Sequence, residues 1–317
     1  MTRFVLIIGA GLLAAKVAYA APDYCKTNAP NRCTDIKNLV CNLQLPYAPN
    51  GKGPGKCASI DGRGRDAERA RRRLATNADI IQSAFTIAPA GLKQCLCSLK
   101  HIYVTADPQY NNWGKWEGRG SGNSSIALYT STLNANTTVP TLMNQQLTLL
   151  GVANSVGHYT DNSNSSNALT LAVLYALAHE MGHMAFRRDY NSLNGCTLQT
   201  FLTTSWKDAA SWQDWATKRP WTYFADTNFG TLVDSIPPPT NANAADLAKI
   251  FTSTVVTSLA AANPEEDFVE AYSIEALNLA TANSYNLSMV IGAQSYPVNQ
   301  GRSSLTPKFQ CVDSILQ

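Results

Sequence analysis

The chain has 317 residues, 45% of them hydrophobic and 15% charged, with a formal net charge of +3. That length makes one large domain or two modest ones, and so even a charge balance gives no ground for a nucleic-acid partner. Few charges with abundant Asn, Ser, Thr and Ala suit a protein that is exported.

Residues 1 to 20 read as a signal peptide. Arg3 supplies the positive start, Phe4 to Ala15 the apolar stretch, and Ala18-Tyr19-Ala20 an A-x-A cleavage site. Lys16 closes the apolar run well short of the roughly twenty residues of a membrane span. Removal of Arg3 and Lys16 leaves a mature chain near +1. The expectation is a secreted or periplasmic protein with no membrane association after cleavage. Eight cysteines, Cys25, Cys33, Cys41, Cys57, Cys95, Cys97, Cys196 and Cys311, all follow the cleavage site. An even number in an exported chain predicts disulfides, and Cys311 is placed to staple the C-terminal tail. Sequons at Asn123, Asn136 and Asn164 matter only where the source glycosylates proteins.

Residues 21 to about 60 are rich in Cys, Pro, Gly and Asn and read as a disulfide-tied segment. Residues 64 to 88 read as a helix. Its basic run, Arg69, Arg71, Arg72 and Arg73, is mixed with Asp66 and Glu68 and has no interleaved aromatics, as expected of a solvated helix face. Together residues 21 to 100 form an N-terminal region, which could also act as a propeptide. His101 to Thr105 and Ser125 to Thr132 read as strands flanking a Gly/Trp/Asn-rich loop. Asn154 to Asn167 reads as a polar loop. The aromatic cluster Trp206, Trp212, Trp215, Trp221, Tyr223 and Phe224 reads as packing, with a glycan platform as the alternative. Pro237-Pro238-Pro239 marks a rigid loop, and residues 244 to 262 read as helical.

The chemistry concentrates in two places. The first is His179-Glu180-Met181-Gly182-His183, near the end of a long apolar helix that Ser165 or Ser166 could cap. Residues four apart share a helix face, so His179 and His183 can offer two imidazoles to one metal ion. Glu180 then points beside the metal, placed to act on a water. A buried His, Glu and His without partners is costly, and a metal removes that cost. This HExxH pattern is the signature of zinc peptidases. A catalytic zinc takes a third protein ligand and leaves the fourth position to water.

The second place is Asn263-Pro264-Glu265-Glu266-Asp267-Phe268-Val269-Glu270-Ala271-Tyr272. Asn263, Pro264 and the first acids would also suit a plain helix start. The stretch resembles the gluzincins, whose third ligand is a Glu on a later helix. The nearest likeness is to the anthrax-lethal-factor-like secreted peptidases. That resemblance covers the helix pair and the strands before it. It implies Glu266 as the third ligand and Glu270, one turn on, as the group that orients a ligand histidine through its second ring nitrogen. Asp189 is the alternative ligand: His-x-x-x-His-x-x-Phe-x-x-Asp has metzincin spacing, but Phe186 stands where that family has a turn-forming Gly. One departure is notable. The family places an oxyanion-stabilising Tyr seven residues before its ligand Glu, and here that position is Leu259. Tyr159 and Tyr223 are the alternative oxyanion donors.

The resemblance implies an α+β, zincin-like fold, mostly helical with a small mixed sheet, over residues 101 to 317. In it Ser125 to Thr132 is the expected edge strand that pairs with extended substrate. The function expected is zinc-dependent hydrolysis of peptide bonds in a peptide or protein, with Glu180 as general base. The alternatives are a zinc-containing binding or toxin-like module without turnover, and a glycan-binding surface protein.

Overall fold

The computed structural model describes residues 34–42, 57–60, 62–105, 114–117, 124–149, 152–161, 166–188, 244–252, 255–260, 264–299 and 302–317. Residues 1 to 20, Cys25, Cys33, Asp189, Cys196, the aromatic cluster and the triple proline lie outside them. The fold is mixed α+β with two small sheets.

The first sheet takes β1 (Val40–Asn42), β2 (His101–Thr105), β3 (Gly114–Glu117) and β4 (Ser125–Tyr129) in the order β1-β2-β4-β3. β1, β2 and β4 run parallel, and β3 runs antiparallel along the outer side of β4. A parallel sheet is normally covered on both faces. One face here sends Val40, Ile102, Val104, Ile126 and Leu128 into the main core, and the other packs Tyr103, Ala127 and Cys41 into a small separate cluster. β1 and Gly114–Glu117 are therefore the two edge strands, and Gly114–Glu117 is the one beside α4. Ser125–Tyr129, expected at the edge, is interior, because the Gly/Trp/Asn-rich stretch supplies a strand of its own. Four residues, Gly-Lys-Trp-Glu, are too few for their alternation to be read.

The second sheet is antiparallel: β5 (Gly157–Asp161), β6 (Leu287–Ile291) and β7 (Gln294–Pro297). β5 lies inside the segment expected to be a loop. Only Gly157 and Tyr159 face inward, and the polar residues between them disguise the strand. In β6, Leu287, Met289 and Ile291 are buried in strict alternation.

Seven helices belong to the described residues: α1 (Arg65–Ile87), α2 (Ala90–Cys97), α3 (Val139–Leu149), α4 (Ala168–Arg188), α5 (Ala244–Thr252), α6 (Pro264–Ala280) and α7 (Thr306–Leu316). None is long and apolar enough to cross a membrane. α5 stops ten residues short of the end of the helix read from sequence, where a run rich in β-branched residues, Thr252, Thr254, Val255 and Val256, begins. α4 is apolar nearly all round. Every residue from Leu171 to Gly182 is buried, with α1, α2, α3, β3 and α6 packed around it. Its tightest neighbour is α6. A Cβ on Gly182 would come within 3.2 Å of the Val269 Cα, so this glycine lets the two backbones approach. β1, from before residue 100, and β2, from after it, share one sheet over one core. Cys41 and Cys57 form a disulfide, Cys95 and Cys311 are each disulfide-bonded, and Cys97 is a buried thiol.

Candidate metal centre

α4 and α6 bring the two sequence clusters face to face. His179 and His183 stand one turn apart on α4, with ring centroids 5.0 Å apart. Glu266 projects from the first turn of α6 between them. Its Oε2 lies 3.7 Å from His179 Nε2, and its Oε1 lies 3.7 Å from His183 Nε2. Those distances exceed a hydrogen bond but suit three ligands on one ion. Zinc bonds of about 2.1 Å at tetrahedral angles set donor atoms roughly 3.4 Å apart. All three side chains offer ligand atoms within 4.8 Å of one another. The donor set, two imidazoles and one carboxylate, fits a divalent metal such as zinc.

The other ring nitrogens are also held. His179 Nδ1 lies 2.9 Å from Glu270 Oε1, and His183 Nδ1 lies 2.8 Å from Glu265 Oε1. Glu270 already accepts the Tyr175 hydroxyl at 2.8 Å and the Thr257 hydroxyl at 2.7 Å, so the imidazole is the donor in its pair. Donation from Nδ1 fixes the tautomer and leaves the Nε2 lone pair facing Glu266. Thr257 completes its own bonding by accepting the Ala260 N–H at 3.1 Å. Glu270, Thr257 and Tyr175 are all fully buried, so this set of mutual partners is what makes the burial tolerable.

The three acids of the α6 first turn therefore have three separate tasks. Glu265 holds His183, Glu266 faces both Nε2 atoms, and Asp267 forms a fully buried ion pair with Lys308 of α7. All three also suit the positive end of the helix dipole. Burial pushes the Glu266 carboxyl up to about 8, opposed by His183 and reinforced by Glu265, Glu270 and Glu180. At His183 burial depresses the imidazole, but Glu266 and Glu265 outweigh it and raise it above its ordinary value.

Glu180 is buried, only 3% exposed, beneath the edge strand. A Cβ on Gly114 would sit 2.9 Å from Glu180 Oε1, so β3 passes directly over this carboxylate at the one residue without a side chain. The Tyr159 hydroxyl is engaged with Ser258. It is 2.5 Å from the Ser258 hydroxyl and accepts the Ser258 N–H at 3.0 Å. Leu259 is buried, and Tyr223, like Asp189, lies outside the described residues.

Glu265, Tyr175 and Thr257 were not identified from sequence as site residues. Tyr175 had a readable sign, since Tyr175, His179 and His183 recur every four residues on one face of α4. Thr257 had none, because a turn ahead of α6 delivers it. Comparison of the chain with protein-family models, curated proteins and solved structures returned no match.

Proposed function

We propose that this protein is an exported zinc-dependent peptide hydrolase with a zincin-like fold of the gluzincin type. The observation that carries the reading is the His179–His183–Glu266 cluster, with both Nδ1 atoms engaged by Glu270 and Glu265. Zinc, when bound, supplies Lewis acidity that acidifies water and polarises a carbonyl. His179, His183 and Glu266 hold it, while Glu270 and Glu265 keep the two imidazoles oriented. Glu180 takes a proton from the attacking water at its carboxylate and passes it to the leaving amine. The strand β3 supports a peptide substrate in particular. Among the described residues it pairs only with β4, so its outer edge offers backbone groups to an extended chain directly above Glu180.

A second reading is a metal-holding binding module without turnover. It is favoured by the engagement of the Tyr159 hydroxyl with Ser258 and by Leu259 at the place of the family's oxyanion tyrosine. Bound zinc and cleavage of an unbiased peptide library separate the two, measured on wild type, Glu180→Gln and Glu266→Ala. The peptidase reading expects one zinc and cleavage for wild type, zinc without cleavage for Glu180→Gln, and loss of zinc for Glu266→Ala. Full zinc retention by Glu266→Ala overturns the ligand set. Zinc without cleavage in wild type favours the binding module.

A further inference from the structure

We propose that Cys41, Cys57 and His101 form a second metal site, of the two-thiolate, one-imidazole kind, that opens when the Cys41–Cys57 disulfide is reduced. The proposal is independent of the peptidase reading. Among the described residues only two groups bring three ligand atoms within 4.8 Å, the site above and this one.

The sheet builds it. Cys41 on β1 pairs in register with Tyr103 on β2, and His101 lies two residues before Tyr103, so period-2 alternation puts both on one face. That face is turned away from the main core. Cys57 is tied to the same strand by the Ala58 N–H, which donates to the Asn42 carbonyl at 2.8 Å. His101 Nδ1 stands 3.5 Å from Cys57 Sγ. Ligand bonds of about 2.3 Å to sulfur and 2.0 Å to nitrogen at tetrahedral angles separate S and N by roughly 3.5 Å. The imidazole is thus already at ligand spacing from one sulfur. Rotation about the Cα–Cβ bonds takes the two sulfurs to the roughly 3.8 Å that two thiolates require on one ion.

Access favours this bridge over the others described. Cys57 is exposed, whereas the disulfide-bonded Cys95 and Cys311 are 2% and 8% exposed. A dithiol delivers two electrons and two protons, breaks the S–S bond and is itself oxidised to a disulfide. A zinc ion then displaces both thiol protons, and the two thiolates neutralise its charge. His101 is the third ligand, and the exposed side admits water as the fourth.

Cobalt(II) is the probe, because a thiolate-to-cobalt charge-transfer band reports sulfur ligation that His179, His183 and Glu266 cannot produce. The full chain, carrying Cys97→Ala to remove the buried thiol, is reduced with a water-soluble phosphine and titrated with cobalt. Reduction should add one bound equivalent with the band. His101→Ala should weaken it at least tenfold, no less than loss of an outer-shell partner does, and Cys57→Ser should abolish the band. A reduced chain that shows free thiols without the band overturns the proposal. So does a band that survives in Cys57→Ser, or an unchanged affinity in His101→Ala. Loss of circular-dichroism signal on reduction overturns it as well, since the site then has no scaffold.

Discussion

The deep and shallow halves of the helix-borne site hold their imidazoles differently. His179 is 4% exposed, and its partner Glu270 is fully buried and serves three donors, from His179, Tyr175 and Thr257. His183 lies nearer the surface, where Glu265 keeps 21% of its side chain exposed. Depth sets how much of the partner's charge solvent can reach. A carboxylate removed from water must have its oxygens bonded by protein, whereas a partly exposed one is also reached by solvent. The deep half should therefore be rigid and costly to disturb, and the shallow half tolerant.

Glu270→Ala tests the deep half and should have the largest effect. It removes the acceptor of the Tyr175 and Thr257 hydroxyls and of the His179 N–H inside the core. We expect zinc affinity to fall by about a hundredfold and stability by about 3 kcal/mol, read by competition with a chromophoric chelator and by urea unfolding. An affinity within about threefold of wild type would break the comparison.

Protons supply the next test. Burial holds the Glu266 carboxyl at about 8, so its proton must leave before the oxygens can bind a metal. Affinity should therefore rise with pH below about 8, by at least about tenfold per unit, since the raised His183 imidazole must also shed its proton before it binds. It should level above that value. A flat profile between pH 6 and 8 contradicts a raised Glu266 carboxyl.

Glu265→Ala disturbs the shallow half. Water can replace the lost acceptor at His183 Nδ1, so the affinity loss should be about tenfold, at the low end for an outer-shell partner, with little change in stability. A loss equal to that of Glu270→Ala would mean that depth does not set the difference. The smallest effect belongs to Tyr175→Phe, which removes one of the hydroxyls on Glu270 and leaves the rest. About 1 kcal/mol of stability should be lost, seen as a lower unfolding midpoint with an unchanged slope.

The helix pair was legible because its information is local. His179, Glu180 and His183 share a face through four-residue spacing, and Glu266 and Glu270 repeat that spacing on α6. The edge strand and β5 are not legible in the sequence, because four or five residues of mixed polarity carry too little alternation to register. Thr257 left no trace in the sequence, since its contact with Glu270 comes from a turn and not from a repeat.

By itself, then, the sequence determined which side chains share a helix face and so which chemistry is possible: two imidazoles and a carboxylate on α4, a file of acids on α6. Only the tertiary structure decided which acid meets which base. Glu265, Glu266 and Asp267 are consecutive, and a helix turns each about 100° from the last. The packing of α4, the site itself and α7 around that one turn assigns them to His183, to the paired Nε2 atoms and to Lys308. The same holds for Gly114 and Gly182. Their need for no side chain appears only when β3 is laid over Glu180 and α6 against α4, because close approach is a property of two segments and neither segment's sequence contains it.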